Sequence, residues 1–219
     1  MRPMALETTL VLIRHGETEW NRAGRFQGHA DSPLTPRGLA QARAVALALA
    51  EEKFDAFYSS DLGRAKKTAS IIADHLGRRY LTDERLREQH YGLIQGHEGK
   101  RARELDPAFF EGLADGGVAP RGGESRRQRH ERAVAALKDI ASRHPGGNLL
   151  VVTHGGIVDS LFRETLGIPY RSPRQYSLYN AALNRFSYSE GSWILRLWGE
   201  VSHLAEAGTS DAGHSFTAA

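Results

Sequence analysis

Apolar positions along the chain fall into two rhythms. Residues 8–13 and 148–153 are apolar at nearly every position and rich in β-branched residues and leucine, the pattern of strands buried on both faces of a sheet. Residues 54–59 predict a further strand. Helical spacing fills the gaps. Thr35-Pro36 opens a helix that continues through the alanine-rich 39–53. Ser60 or Asp61 caps a second helix, over 61–76, which ends at Gly77. A third spans 124–143, stopped by His144-Pro145-Gly146-Gly147, and a fourth spans 157–166.

Residues 86–91 read as a loop or short strand edge, and 97–123 as a glycine-rich, irregular stretch around one helical piece. Runs at 182–188 and 193–198 flank Ser189-Glu190-Gly191-Ser192 as a hairpin. Strands alternating with helices predict an α/β fold: a three-layer α/β/α sandwich whose mostly parallel sheet carries an antiparallel edge. The expected organisation is an N-terminal extension at 1–7, one domain at 8–204 with 97–123 as a pocket-covering insertion, and a small, polar, disordered tail at 205–219.

Composition narrows the chemistry. Hydrophobic residues at 40% and charged residues at 25% describe an ordinary folded chain of 219 residues. Cysteine is absent, which removes disulfides, thiolate metal sites and cysteine nucleophiles and suits a reducing compartment. Neither a bilayer-spanning run nor a signal-peptide pattern is present, so the expected location is the cytoplasm, with no membrane partner. A net charge of +3 is a weak argument for nucleic acid, and the basic stretch at 126–132 reads as a solvated helix face. An edge strand or helix face leaves a homodimer open.

Both long apolar runs end in His-Gly, as Arg14-His15-Gly16 and His154-Gly155-Gly156. In an open α/β sheet, ligands bind beyond the carboxyl ends of the strands, where helix N-termini converge. Arg64, at the start of the helix after the 54–59 strand, is expected near the same edge, and with Arg14 offers forked donors suited to an anion. Metal ligation by His15, His154 and Glu88 is the rival chemistry, disfavoured by the neighbouring guanidinium groups and by the lack of a metal-binding spacing.

Four blocks, LIRHGETEWN at 12–21, SSDLGRAKKTA at 59–69, LREQHYGLIQG at 86–96 and VVTHGG at 151–156, resemble those of the histidine phosphatase (phosphoglycerate mutase-like) superfamily, in order. The resemblance implies that His15 is a nucleophile forming a phosphohistidine and that Arg14, Arg64, His154 and Asn21 hold the phosphoryl oxygens. It implies Glu88 as general acid and puts Gln27, Gly28, Tyr91 and Gly155 near the substrate, a small phosphomonoester, with no metal required. Arg121-Gly122-Gly123-Glu124-Ser125 and the ending at 199–204 resemble the phosphatase branch, and the lysine of the mutases falls on Gly99, one position from Lys100. EQHYGLIQG resembles the mutase form instead. The expected activity is a phosphatase without cofactor; the alternative is a phosphoglycerate mutase primed by 2,3-bisphosphoglycerate, and, further off, a non-catalytic phosphate- or nucleic-acid-binding module. Arg101, Arg103 and Arg121 are candidates to meet a second charged group of the substrate.

Overall fold

The computed structural model describes residues 6–114 and 117–211. Strands β1 (Thr8–Arg14), β2 (Ala56–Ser59), β3 (Leu81–Thr82), β4 (Asn148–Thr153), β5 (Leu183–Ser189) and β6 (Ser192–Glu200) form one sheet in the order β3-β2-β4-β1-β5-β6. The first four run parallel; β5 lies antiparallel to β1, and β6 to β5, so the hairpin forms the antiparallel edge. The helices are α1 (Glu19–Arg22), α2 (Pro36–Ala48), α3 (Gly63–Leu76), α4 (Gly99–Leu105), α5 (Pro107–Glu111), α6 (Arg126–Ser142) and α7 (Gly155–Leu166).

Alternation along the central strands explains the layers. Leu10, Leu12, Leu149 and Val151 face α6 and α7 through Leu137, Ile140 and Leu161. Val11, Ile13, Leu150 and Val152 face α2 and α3 through Val45, Leu49 and Ile72. Every second residue thus serves one of two cores, which is why the runs are apolar throughout. No helix among the described residues is long and apolar enough to cross a membrane.

Helix ends follow local chemistry in most places. Thr35 Oγ1 accepts from the Gly38 amide at 3.0 Å with Pro36 in the first turn, and Gly77 closes α3 with a left-handed φ of 60°. Ser125 and Gln128 form a reciprocal capping box on α6. Helix α2 stops at Ala48, short of the expected 53. The residue preceding α3 is Leu62, not Ser60 or Asp61, and it supplies no side-chain cap. Asp31 caps from a distant loop instead, accepting from the Arg64 amide at 3.2 Å, while Asp61 is drawn to Arg87 at 2.8 Å.

Two further expectations are corrected. The 97–123 stretch holds two helices rather than one, α4 and α5, because Pro107 starts a new helix directly after Asp106. Residues 205–211 are bound to the domain rather than loose. The Gly208 carbonyl accepts from Gln41 Nε2 at 2.9 Å, and the Ser210 carbonyl accepts from the Asn180 amide at 2.9 Å. The rest of the expected tail, 212–219, and most of the expected extension, 1–5, lie outside the described residues.

Candidate active site

Strand pairing sets the site. Arg14 on β1 stands in register with Thr153 on β4, so His15 and His154 leave adjacent strand ends, their ring centroids 5.2 Å apart and edge-on. Ser59 on β2 pairs with Val152, which brings Ser60 and the start of α3 to the same edge. A cavity of about 550 Å³ opens there, with Arg14, His15, Asn21, Arg64 and Glu88 in its wall.

His15 has a defined tautomer. Its Nδ1 lies 2.8 Å from the Gly16 carbonyl, which can only accept, so Nδ1 carries the proton. The other ring nitrogen, Nε2, accepts from Arg64 Nε at 3.2 Å and is therefore unprotonated, its one lone pair directed at that N–H. Burial first, then the Arg64 and Arg14 charges, hold the ring's pKa well below the usual histidine range, so it stays neutral. Asn180 Nδ2 donates to the His15 carbonyl at 2.8 Å and to Asn21 Oδ1 at 3.4 Å.

Arg64 is 2% exposed and held by its neighbours: Nη1 donates to the Ala30 carbonyl at 2.9 Å and to Asp31 Oδ1 at 3.0 Å, and Nη2 gives one N–H to the Gly28 carbonyl at 2.7 Å. Gly28 adopts a φ of 57°, and a Cβ there would stand 2.9 Å from the Gln89 carbonyl oxygen, so only glycine permits that approach. Arg14 donates from Nη1 to the Leu178 carbonyl, while its Nε is buried with no partner. Its pKa is drawn down to about 10, chiefly by burial, and it remains a cation at neutral pH.

Glu88 Oε2 accepts from the Gly156 amide at 2.9 Å and Oε1 from the Gln89 amide at 2.8 Å. Helix α7 has no cap from His154, which precedes it, so the Glu88 carboxylate takes that place and is fixed by it. A Cβ on Gly156 would fall 2.1 Å from Glu88 Oε1.

Of the other expected residues, Gln27, Gly28, Tyr91 and Gly155 line the cavity. Burial and the nearby Glu88 raise the Tyr91 pKa, so its hydroxyl keeps its proton. His154 lies behind the cavity wall, fully buried, with its Nε2 2.8 Å from Ser60 Oγ and its Nδ1 without a partner. Arg103 reaches the cavity, but Arg101 pairs with Glu104 at 2.9 Å and Arg121 turns to the Leu105 carbonyl. Lys100 lies in a separate groove of about 340 Å³ with Arg25 and Glu98.

The 126–132 stretch is a solvated face only in part: Arg127, Gln128 and Glu131 are exposed, but the other arginines turn inward. Arg126 and Arg129 enter the cavity wall, and Arg132 donates to the carbonyls of Arg85 and Arg87 at 2.7 and 2.9 Å and pairs with Glu124. Arg129, Asp159, Asn180 and Asp31 escaped sequence reasoning because their partners are distant in the chain. Among the described residues, no group of three or more His, Asp or Glu side chains is placed to hold a metal ion.

A neutral histidine unprotonated at Nε2, buried guanidinium donors beside it and a fixed carboxylate in the same cavity wall, at the carboxyl edge of an α/β sheet, define a phosphoryl-transfer enzyme. The family profile described as histidine phosphatase superfamily (branch 1) matches residues 10–201. The chain is 41% identical over 212 residues to a metal-independent phosphoserine phosphatase of Arabidopsis thaliana, covering 94% of this chain and 87% of that one. It is 37% identical to a probable phosphoglycerate mutase, GpmB, of Serratia proteamaculans, covering 89% and 94%. The solved structure of YhfR from Bacillus stearothermophilus superposes with a TM-score of 0.83 at 34% identity, covering 90% of this chain and 99% of that one. The chain belongs to the histidine phosphatase superfamily and has its phosphoglycerate mutase-like fold.

Proposed function

We propose that this enzyme hydrolyses a small phosphomonoester through a phosphohistidine on His15. The observation that carries the reading is the His15 tautomer: a lone pair on Nε2, held neutral by burial and flanked by Arg64 and Arg14. The Arg64 Nε–H passes from Nε2 to a phosphoryl oxygen, the freed lone pair of Nε2 attacks phosphorus as the bond to the leaving oxygen breaks, and the Glu88 carboxyl gives that oxygen its proton. The Glu88 carboxylate then takes a proton from water, the water oxygen attacks phosphorus, and the phosphorus–nitrogen bond breaks, returning the electron pair to Nε2. Arg14, Arg64 and Asn21, which line the cavity, stabilise the charge on the phosphoryl oxygens, with His154 buried behind them, so the step runs without metal or cofactor. Similarity to a metal-independent phosphatase supports this.

The mutase alternative is favoured by similarity to a protein named a probable phosphoglycerate mutase. Lys100, next to the position where the mutases carry their lysine, lines a groove that adjoins the cavity at Arg25 and not the cavity itself, which weighs against it. The deciding experiment follows phosphorus by NMR in the presence of 3-phosphoglycerate and a trace of 2,3-bisphosphoglycerate. No 2-phosphoglycerate is expected to form. Its growth at enzymatic rates would overturn the phosphatase reading in favour of the mutase. Quenched turnover of a radiolabelled phosphomonoester is expected to trap an acid-labile phosphoprotein that His15→Ala lacks; equal turnover by that variant would end the mechanism.

A further inference from the structure

Beside Glu88, on the α6 and α7 side of the cavity, stands a second buried cation that the mechanism leaves unused. Arg129 is 6% exposed and lines the cavity. It makes one hydrogen bond, from Nη2 to Asp159 Oδ2 at 3.1 Å, while its Nε is buried without a partner. Together with Arg14 Nε it is one of only two buried guanidinium atoms left unpaired among the described residues. An unmet buried donor is destabilising, and such groups in native structures mark a place where something else is expected to bind.

The pairing with Asp159 does not account for Arg129. Asp159 is already satisfied, accepting from Arg163 Nε at 3.0 Å on both oxygens and from the Tyr176 hydroxyl at 2.7 Å. Against the burial that would raise it, Arg129 and Arg163 hold this carboxyl below the usual carboxylate range. The Asp159 carboxylate therefore faces two guanidinium groups, and the other carboxylate near Arg129, Glu88, is held by the Gly156 and Gln89 amides instead. Arg163 Nη1 donates to the Pro169 and Ser172 carbonyls, both at 2.9 Å, which ties it to the loop forming the far wall. Arg129 has no such scaffold duty.

Its position gives the direction. The point where a Gly156 Cβ would sit is 2.1 Å from Glu88 Oε1, 2.9 Å from Arg129 Cδ and 3.0 Å from Arg129 Nη1. The carboxyl that protonates the leaving oxygen and the guanidinium are thus direct neighbours. Both line the same cavity, so Arg129 is the guanidinium beside the group that protonates the leaving oxygen.

We infer that Arg129, preset by Asp159, is a specificity-determining residue that receives an oxyanion on the leaving alcohol, so that the substrate is a phosphomonoester carrying a second anionic group, carboxylate or phosphate, a few bonds from the ester oxygen. The inference rests on the phosphatase reading above. A guanidinium reads either oxyanion with the same fork, so the choice between them is left to the measurement.

Three esters differing at one end test it: propyl phosphate, 3-phosphonooxypropanoate and propane-1,3-diol bisphosphate. The wild-type enzyme is expected to favour at least one anionic ester over propyl phosphate by tenfold or more in kcat/KM, and the preferred one identifies carboxylate or phosphate. In Arg129→Met the ratio of anionic to neutral ester is expected to fall at least tenfold, and in Arg129→Lys by less; a loss common to all esters, as from a disturbed fold or a shifted Glu88, cancels in that ratio. Asp159 keeps Arg163 and Tyr176 in both variants, which supports the fold. A wild-type ratio near one, or a ratio unchanged in both variants, would overturn the inference and leave the phosphatase reading standing. No turnover of any of the three would overturn both.

Discussion

Arg64 donates from Nε to Nε2 of His15 at 3.2 Å, the same nitrogen whose lone pair the mechanism uses. The contact holds the ring in the tautomer with Nε2 unprotonated, and the same N–H is placed to pass to a phosphoryl oxygen as Nε2 attacks. Arg64→Lys keeps the charge but loses the fork, and its anchors on Gly28, Ala30 and Asp31 cannot all be kept. We expect kcat to fall by about 100-fold or more, the scale of a lost transition-state donor. Steady-state kinetics on a folded variant, checked by circular dichroism, measure it.

Asp31 supports Arg64 twice, by capping α3 and by pairing with Nη1. Asp31→Ala is expected to lower stability by about 1 kcal/mol, as for other lost caps. Because Arg64 also loses a partner, KM should rise several-fold. Urea unfolding and steady-state kinetics read the two effects separately.

Gly156→Ala separates stability from activity. Alanine is the better helix former, by up to about 1 kcal/mol. Its Cβ, however, would displace the end of the Glu88 side chain from 2.1 Å. The expected outcome is a fold of unimpaired stability with turnover of an alkyl phosphate reduced about 100-fold, within the range for a lost general acid. Turnover of p-nitrophenyl phosphate, whose leaving group needs little help from a proton, should fall far less.

The buried histidines predict a pH effect on stability. His15 and His154 are both kept neutral well below the usual histidine range, by burial first and then by Arg64 and their other neighbours. The unfolded chain takes up protons below about pH 6.5 that the fold refuses, so stability is fully present above that pH and declines as the pH falls. Each ring contributes about 1.4 kcal/mol per pH unit to that slope. His15→Asn should reduce the stability lost between about pH 6.5 and 5.5 by about 1 kcal/mol, the unfolded ring being only half protonated at the upper limit, measured by denaturant unfolding at several pH values. Over the same interval kcat/KM should show no loss from protonation of His15.

What the sequence made legible is what short-range chemistry decides. The doubly buried strands, the Thr35 cap, the Gly77 stop and the β5–β6 hairpin each follow from neighbouring residues, and the paired His-Gly ends pointed to the site because β1 and β4 are neighbours in register. Asp31 capping α3 was not legible, since its loop meets that helix only in the folded chain. The 126–132 run misled for a related reason. Charge on a helix looks solvated until its partners are known, and Asp159, on α7, and the carbonyls of Arg85 and Arg87 are supplied by other elements.

The segment 205–211 bears on how the protein can be handled. Ser210 grips Asn180 through its carbonyl and hydroxyl, and Asn180 in turn holds the carbonyl of His15 and the side chain of Asn21. Clipping the polypeptide after Leu204, a cut that removes little apolar surface and looks harmless in the sequence, would slacken the loop that seats the nucleophile. Affinity tags and trimming for crystallisation are therefore better confined to the other end of the chain.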